Sequence, residues 1–479
     1  MSGLRFACVA AIAAMLTGCM VGPNYERAET VLPPAYPEPP IATTPTSGAA
    51  VVRPNWWVLY GDATLDRLVT TALSDNLDVA VAVARIEEAD ALLREVNASL
   101  FPEIDLGATA ARSRTSNAVA VPSSVRISND VRIALSTSFE IDFWGRLRRL
   151  VESARAQALG THYARDVVTL SIAGLTTQTY FSLRSLDAQI TATRETLATR
   201  DDYYAIVQRR SAAGLASDLE VNQALGVRAD AAAQLKEFLR QRSLVEHLLG
   251  TLTGDLSLTI PPGDLAQLPV PPIPPPGLPS LLLERRPDVR VAEENLVAAN
   301  AQIGAAKAAL FPRIALTGAL GTESDNLATL LSTGGRIWSI GFGLALPIFT
   351  AGRLNAEVDA TVARERQAVA NYQKSIQTAF REVADALTNI ASASATQSDL
   401  QTSVDAATNA LRLATRRYEV GYAPYLDILD AQRSLNIAQL ALIRNRQALL
   451  SATVDLMKAL GGGWKDAEPL ATVNGISAN

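Results

Sequence analysis

The chain has 479 residues, of which 48% are hydrophobic, and its 43 Lys and Arg are outnumbered by 48 Asp and Glu. This mild acidity argues against nucleic-acid binding, which needs a basic surface to neutralise phosphates. After residue 20 no stretch approaches the roughly 18 consecutive apolar residues of a membrane-spanning helix, which excludes a polytopic helical membrane protein.

The N-terminus has the pattern of an export signal. Residues 1–18 carry one basic residue and then an apolar run that is too short to span a membrane and ends in small residues. The segment Leu16–Cys19 resembles a bacterial lipobox, in which the cysteine becomes the lipid-bearing first residue, and Met20 after it favours the outer membrane. The alternative is an ordinary signal cleaved nearby, with Cys19 incidental. We expect residues 19–60 to form a lipid-anchored tether.

The mature chain has no material for a disulfide or for a zinc site of the usual composition. Cys8 would leave with the signal and Cys19 would be acylated, while His162 and His247 are isolated and have no Cys neighbours. We also find no nucleophile elbow, phosphate-binding loop or metal cluster. We therefore expect no enzyme, no metal and no cofactor beyond the lipid on Cys19, with both histidines on helix surfaces.

The rest of the chain is a duplication. Three motifs recur in the same order: Leu100–Leu106 as Leu310–Leu316, Gly145–Leu147 as Gly352–Leu354, and Gly214 as Gly421. The glycine of the second motif and that of the third are 69 residues apart in both copies. Such equal spacing indicates two copies of one unit of about 200 residues, much longer than a solenoid repeat.

This duplication predicts the domain boundaries. Repeat 1 covers residues 61–260 and repeat 2 covers 284–462, each with a helix, a strand pair and a long helical hairpin. The proline-dense residues 261–283 form an extended connector, because such a sequence cannot be a helix or a central strand. Residues 463–479 form a C-terminal segment.

Each copy contains two alternating strands. Apolar side chains alternate with polar or small ones in Val131–Ile141 and in Trp338–Leu346, and partner strands begin near Ile104 and Ile314. Alternating segments of about ten residues are typical of transmembrane β-strands, although a soluble two-sided sheet gives the same pattern. Four strands cannot close a barrel, and an open sheet edge cannot lie in lipid. If these strands span a membrane, the chain must oligomerise.

A long helical hairpin follows each strand pair. Residues 353–420 contain neither Gly nor Pro and are rich in good helix formers. The segment Gly421–Pro424 then breaks the chain before a second helix over about Tyr425–Leu460. The first copy has the same pattern around a turn at Gly214–Ser217.

The order of the motifs resembles one family, the outer-membrane efflux factors of the TolC/OprM/NodT lipoprotein type. The blocks that carry the resemblance are Gly18–Cys19 with Val21–Tyr25, Trp56–Trp57, Glu140–Arg146, Arg285–Val289, and Gly421 with Leu426–Ala431. Their order extends over some 400 residues, so the resemblance covers nearly the whole chain.

The resemblance implies a mainly α fold with membrane β-structure. The duplicated hairpins would form a periplasmic α-barrel, and four transmembrane strands per chain would complete a 12-stranded β-barrel in a homotrimer. It implies a passive, lipid-anchored conduit of the bacterial outer membrane that extends into the periplasm. This conduit would export small molecules such as drugs or solvents. Its partners would be a periplasmic adaptor (membrane fusion protein) and an inner-membrane RND transporter.

The resemblance also assigns a periplasmic gate. Asp427 and Asp430 match aspartates that ring the closed entrance, Glu220 matches an acidic constriction partner, and Tyr418 matches a tyrosine that links neighbouring helices. Three chains would place rings of carboxylates in a narrow aperture, which favours cations. The alternative is that acids in the first turn of a helix only offset its dipole.

The two turns resemble the tips that meet the adaptor. The residues assigned to this contact are Gly214, Leu215, Ala216, Gly421, Tyr422, Ala423, Arg209, Arg210, Arg416 and Arg417. The four arginines have an alternative explanation, because cations are favourable at any helix C-terminus.

Two other functions remain open at this stage. The first is an outer-membrane duct of a protein-secretion or metal-efflux system. The second is a non-channel periplasmic coiled-coil lipoprotein, which would lack membrane-spanning strands.

Overall fold

A computed structural model describes residues 20–27, 33, 36, 52–116, 127–273 and 282–463. The signal segment, the lipidation site Cys19 and the C-terminal segment after residue 463 lie outside the described residues, so the predictions for them stay predictions.

The chain folds into two compact units, and each unit takes segments from both repeats. The strand unit comprises Met1–Glu29, Arg85–His162 and Val291–Gln373. The hairpin unit comprises Thr30–Ala84, Tyr163–Arg290 and Lys374–Asn479. The two compact units therefore do not coincide with the two sequence repeats, because the long helices contribute to both units.

The eight α-helices of the described residues make the fold mainly helical. They are α1 Ala63–Asp75, α2 Leu77–Ala98, α3 Arg146–Ala212, α4 Asp218–Thr253, α5 Leu282–Arg285, α6 Pro287–Ala308, α7 Arg353–Glu419 and α8 Tyr425–Ala459. The helices α3 with α4 and α7 with α8 are the two predicted hairpins, and their bounds agree with the sequence prediction to within a few residues.

The strand unit contains one antiparallel sheet in the order β1-β2-β3-β4. Its strands are β1 Glu103–Arg114, β2 Ile127–Ile141, β3 Arg313–Ser324 and β4 Arg336–Ala345. The two predicted strand pairs are thus joined into a single sheet, with β2 of the first copy paired to β3 of the second.

The register of this sheet separates an apolar face from a polar face. One cross-strand row places large apolar side chains opposite each other: Leu106, Leu135, Leu320 and Trp338. The neighbouring row, on the other face, is small or polar: Asp105, Ser136, Ala319 and Ser339. Within the described residues the apolar face is uncovered, since Leu106 is 70% and Trp338 75% exposed.

Aromatic contacts fix the passage from strand to helix in the strand unit. The ring of Trp144 stacks on Phe311 at 4.6 Å, and its indole N–H donates to the carbonyl of Pro312 at 2.9 Å. These contacts join the segment before α3, in the first repeat, to the segment before β3, in the second repeat.

A buried ion network fixes the start of the proline-dense connector in the hairpin unit. Asp187 is 5% exposed and accepts hydrogen bonds from Arg184 at 3.1 Å and from Arg242 at 2.7 Å. The two guanidinium groups also donate to the carbonyl groups of Pro261 and Ile260. Every charge in this network has a partner, as buried charges require.

Candidate functional site

Both hairpins turn on a glycine in the left-handed conformation. φ is +71° at Gly214 and +79° at Gly421, values that strain any residue with a Cβ atom. The next amide donates to the carbonyl five residues earlier at 2.8 Å in both turns: Leu215 to Arg210 and Tyr422 to Arg417. This arrangement satisfies carbonyl groups that the helix ends would otherwise leave free, so the two turns share one backbone design.

A buried cluster, which we call the tip cluster, packs the two hairpins together behind these turns. It consists of Val207 on α3, Ala224 on α4, Tyr418 on α7, and Tyr425 and Ile428 on α8. All four long helices contribute to it. A movement of one turn therefore requires repacking against the other hairpin.

Tyr418 lies within the tip cluster. Its ring centroid is 5.6 Å from that of Tyr425. The guanidinium of Arg210 lies 4.9 Å from the same ring centroid, which is a cation–π interaction. The buried hydroxyl has no hydrogen-bond partner among the described residues. Burial raises the pKa of Tyr418, and the positive charge of Arg210 opposes this shift.

The four predicted tip arginines fall into two groups. Arg210 is partly buried against Tyr418, whereas Arg209, Arg416 and Arg417 are exposed in the last turns of their helices. Only the last three are therefore free to contact another protein without disturbing the tip cluster.

The predicted gate acid Glu220 is part of a helix cap. Its carboxylate accepts a hydrogen bond from the backbone N–H of Ser217 at 2.8 Å, and the Ser217 hydroxyl accepts one from the N–H of Glu220 at 3.3 Å. This reciprocal pair is a capping box. The structure thus gives Glu220 a local role at the start of α4.

The other two predicted gate acids are exposed on the first turns of α8. That helix begins after Pro424, which provides no side-chain cap. Asp427 lies in the first turn, and Asp430 pairs with Arg433 at 2.9 Å in an exposed i,i+3 ion pair. Such a pair contributes little to stability, so both carboxylates are available at the surface.

Exposed apolar side chains surround both turns, and sequence reasoning identified only some of them. Leu215 and Tyr422, which are 69% and 78% exposed, were expected at the tips. Leu219, Val420 and Leu426 are more than half exposed and were not. The sequence signal that could have identified these three residues is that they are large apolar residues within six positions of a turn glycine.

Polar side chains are also buried close behind the tip cluster, and no pattern in the sequence indicates this. Gln432 is 5% exposed, and neither its amide nitrogen nor its amide oxygen has a partner among the described residues. Arg200 is 8% exposed and donates to the carbonyl of Val227 at 2.6 Å. Burial lowers the pKa of Arg200. Unpaired buried polar groups cost free energy, so these side chains lower the stability of this part of the hairpins.

The histidines do not form a site. Nε2 of His162 lies 3.3 Å from an Asp90 carboxylate oxygen and the ring is half-buried, whereas His247 is exposed on α4. In the part of the chain that the structure describes, no three His, Cys, Asp or Glu residues are grouped to hold a metal ion. Across those same residues, no helix is both long and apolar enough to cross a membrane.

Known proteins with this architecture are outer-membrane transport proteins. OprJ, an outer membrane protein of Pseudomonas aeruginosa, is 36% identical over 469 residues, which cover 97% of each chain. The solvent efflux pump outer membrane protein SrpC of Pseudomonas putida is 36% identical over 94% of this chain and 96% of its own length.

Solved structures match over similar lengths. The CmeC outer membrane channel of Campylobacter jejuni superposes with a TM-score of 0.86 at 27% identity, covering 94% of this chain and 96% of CmeC. The MtrE outer membrane channel of Neisseria gonorrhoeae gives 0.82 at 29% identity, covering 93% and 98%. The profile of the outer membrane efflux protein family matches residues 68–255 and 278–462, one segment in each repeat. The chain belongs to the outer membrane efflux protein family.

Proposed function

We propose that this protein is the outer-membrane channel of a tripartite efflux pump, a passive trimeric conduit through which small molecules such as drugs or solvents leave the cell. The observation that carries this proposal is the four-stranded sheet with one uncovered apolar face. Such a face needs an apolar environment, and an exposed patch of this kind marks a membrane or protein contact. Both the sheet and the family membership support a location in the outer membrane.

The edges of the sheet support association of several copies. Within the described residues, β1 and β4 each pair with one strand only. Open edges would leave backbone N–H and C=O groups unsatisfied in lipid. Pairing β4 of one copy with β1 of the next satisfies them, and three copies would give a barrel of 12 strands.

The tips provide the entrance and the docking surface for a periplasmic adaptor and an RND transporter. Asp427 and Asp430 of three copies form acidic rings, while exposed Leu215, Tyr422 and Arg417 meet the adaptor. Glu220 adds less to the charge of the entrance, because its carboxylate is engaged in the capping box with Ser217. Cys19 carries the lipid anchor, and the chain has no catalytic site and no other cofactor.

Cross-linking in intact cells tests this proposal. Once Cys19 is acylated, Thr109→Cys on β1 and Ser339→Cys on β4 supply the only free thiols of the mature chain. A bismaleimide should then link the double variant into trimers. Thr109→Cys with Thr317→Cys is the matched control, because β3 already has two neighbours in its own sheet, and it should give no trimer ladder.

A functional readout completes the test. Deleting the gene should raise the intracellular accumulation of an efflux dye, and the wild-type chain should restore the low level. A protein that stays monomeric in the cross-linking experiment, or that conducts no ions when purified into a planar bilayer, would instead be a non-channel lipoprotein.

A further inference from the structure

A basic groove lies in the strand unit where the sheet meets the long helices. It has a volume of about 310 Å³ and is lined by α3, α6, α7 and the start of β3. Four of its side chains are arginines, namely Arg146, Arg313, Arg353 and Arg364, and its one carboxylate is that of Glu357. The groove therefore carries a marked excess of positive charge.

The four arginines of the groove differ in their partners. Arg146 is engaged, since it binds the Glu140 carboxylate at 2.7 and 2.9 Å. Arg353 lies 3.7 Å from Glu357, and both side chains are more than half exposed. Among the described residues, Arg313 and Arg364 make no ion pair and no side-chain hydrogen bond. Guanidinium groups that outnumber the acids beside them repel one another, and an anion between them relieves this repulsion.

The first repeat has carboxylates at positions where the second repeat has none. There the Glu140 and Asp142 carboxylates bind Arg146 and Arg148. The corresponding positions of the second repeat, counted back from its Gly352, are Pro347 and Phe349. The duplicated strand motif differs in the same sense, because Arg313 stands where the first copy has Glu103. The second repeat thus has Arg353 at the position of Arg146 and Arg313 at the position of Glu103, without acids at the positions of Glu140 and Asp142.

The groove opens on the polar face of the sheet. Arg313 shares that face with Ala315 and Thr317, on the side opposite the exposed row of Leu316, Leu320 and Trp338. Glu140, the partner of Arg146, lies directly opposite Ala315 in the register and so belongs to the polar face as well. If the apolar face contacts lipid, the groove faces the interior of the conduit.

We propose that this groove binds the phosphate or carboxylate group of anionic solutes that pass through the conduit. Planar guanidinium groups bind both kinds of oxyanion with paired, charge-assisted hydrogen bonds. The proposal rests on the proposed function, because only a trimer with a polar lumen brings passing solutes to this wall. Three copies would place three such grooves around the lumen, at the level where the strands begin.

Binding of inorganic pyrophosphate to the purified full-length protein in a non-ionic detergent tests this proposal, with isothermal titration calorimetry as the measurement. We expect saturable binding by the wild type. Arg313→Ala combined with Arg364→Ala should weaken it about tenfold or more, because two groups that can donate charge-assisted hydrogen bonds to the oxyanion are removed. Arg366→Ala is the matched control, because Arg366 is an exposed arginine on the same helix that does not line the groove. It should bind like the wild type.

Conductance shows whether the groove faces the conduit. In a planar bilayer, pyrophosphate should reduce the current through the wild type and through Arg366→Ala at lower concentration than through the double variant. A protein that conducts no ions contradicts the proposed function, whereas the calorimetry remains valid without a current.

Three results would overturn the inference. The first is equal pyrophosphate binding by the wild type and the double variant. The second is no binding by the wild type, which would mean that the arginines pair with acids of a neighbouring copy instead. The third is a phosphate-containing lipid that copurifies with the wild type and is lost from the double variant, because the groove would then hold a lipid headgroup.

Discussion

The two hairpin tips are copies of one design, yet equivalent carboxylates do different things in them. Glu220 and Asp427 occupy the same position in the two repeats, each six residues after the glycine of its turn. Glu220 is held by Ser217 in a capping box, whereas Asp427 follows the uncapped Pro424. The residue three positions earlier therefore decides whether the acid supports its own helix or stays available at the surface.

A second difference lies further along the same hairpins. The first has Asp187 in a buried network with Arg184 and Arg242, while the equivalent residue of the second is the exposed Ser394. The first hairpin is thus tied by polar contacts at its turn and along its length. The second presents exposed carboxylates at its turn, so the two copies use their polar side chains differently.

The largest effect should come from Asp187→Ala. It leaves the buried guanidinium of Arg184 without its carboxylate and removes one of the two carboxylates that Arg242 binds, which costs about 3–5 kcal/mol. Thermal unfolding followed by circular dichroism should show a large drop in the melting temperature. Ser394→Ala, at the equivalent position of the second hairpin, should leave it nearly unchanged. Similar shifts in the two variants would mean that the hairpins are equally dependent on polar contacts.

Neutralising the exposed acids of the second tip should open the entrance of the conduit. We expect Asp427→Ala with Asp430→Ala to raise single-channel conductance several-fold and to reduce the preference for cations, because the acidic rings are removed. Glu220→Gln is the matched control, since glutamine at this position still completes a capping box, and it should change conductance little. An unchanged conductance in the aspartate variant would identify both acids as ordinary helix-start residues.

High pH should weaken the tip cluster through the second hairpin. Burial raises the pKa of Tyr425 from 10.0 to about 12. Between these values the unfolded chain loses the tyrosine proton while the folded chain keeps it, so the free energy of unfolding falls as the pH rises. Urea unfolding at pH 9 and pH 11 should show this fall, and Tyr425→Phe should reduce it. An identical fall in that variant would assign the effect to other groups.

The smallest effect concerns the cap itself. Ser217→Ala should lower the free energy of unfolding by about 1 kcal/mol, because the capping box is lost. Pro424→Ala, at the equivalent position, removes no side-chain cap and should stay within about 0.5 kcal/mol. Chemical denaturation of both variants measures the difference. Equal losses would show that the capping box adds nothing to the first tip.

The elements could be predicted from the sequence because their signals are local. The alternation around Val131 and Trp338 predicted the strands, and the glycines at 214 and 421 predicted both turns. The capping box could also be predicted from the sequence, since Ser217 and Glu220 have the required spacing.

What could not be predicted depends on contacts between distant segments. The pairing of β2 with β3 joins two repeats, and no local pattern indicates it. The burial of Gln432 and Arg200 follows from how four helices pack, because each residue taken alone is typical of an exposed helix surface. The basic groove likewise needed the register that places Arg313 on the polar face.

The central ladder of the sheet also limits when the chain can fold. Val131 on β2 pairs with Ser324 on β3, a residue synthesised nearly 200 positions later, and pairing over such a separation is slow. A chain that is still being exported has only β1 and β2, and an isolated two-stranded hairpin is marginal in stability. The complete apolar face therefore exists only once β4, which ends at Ala345, has also been exported.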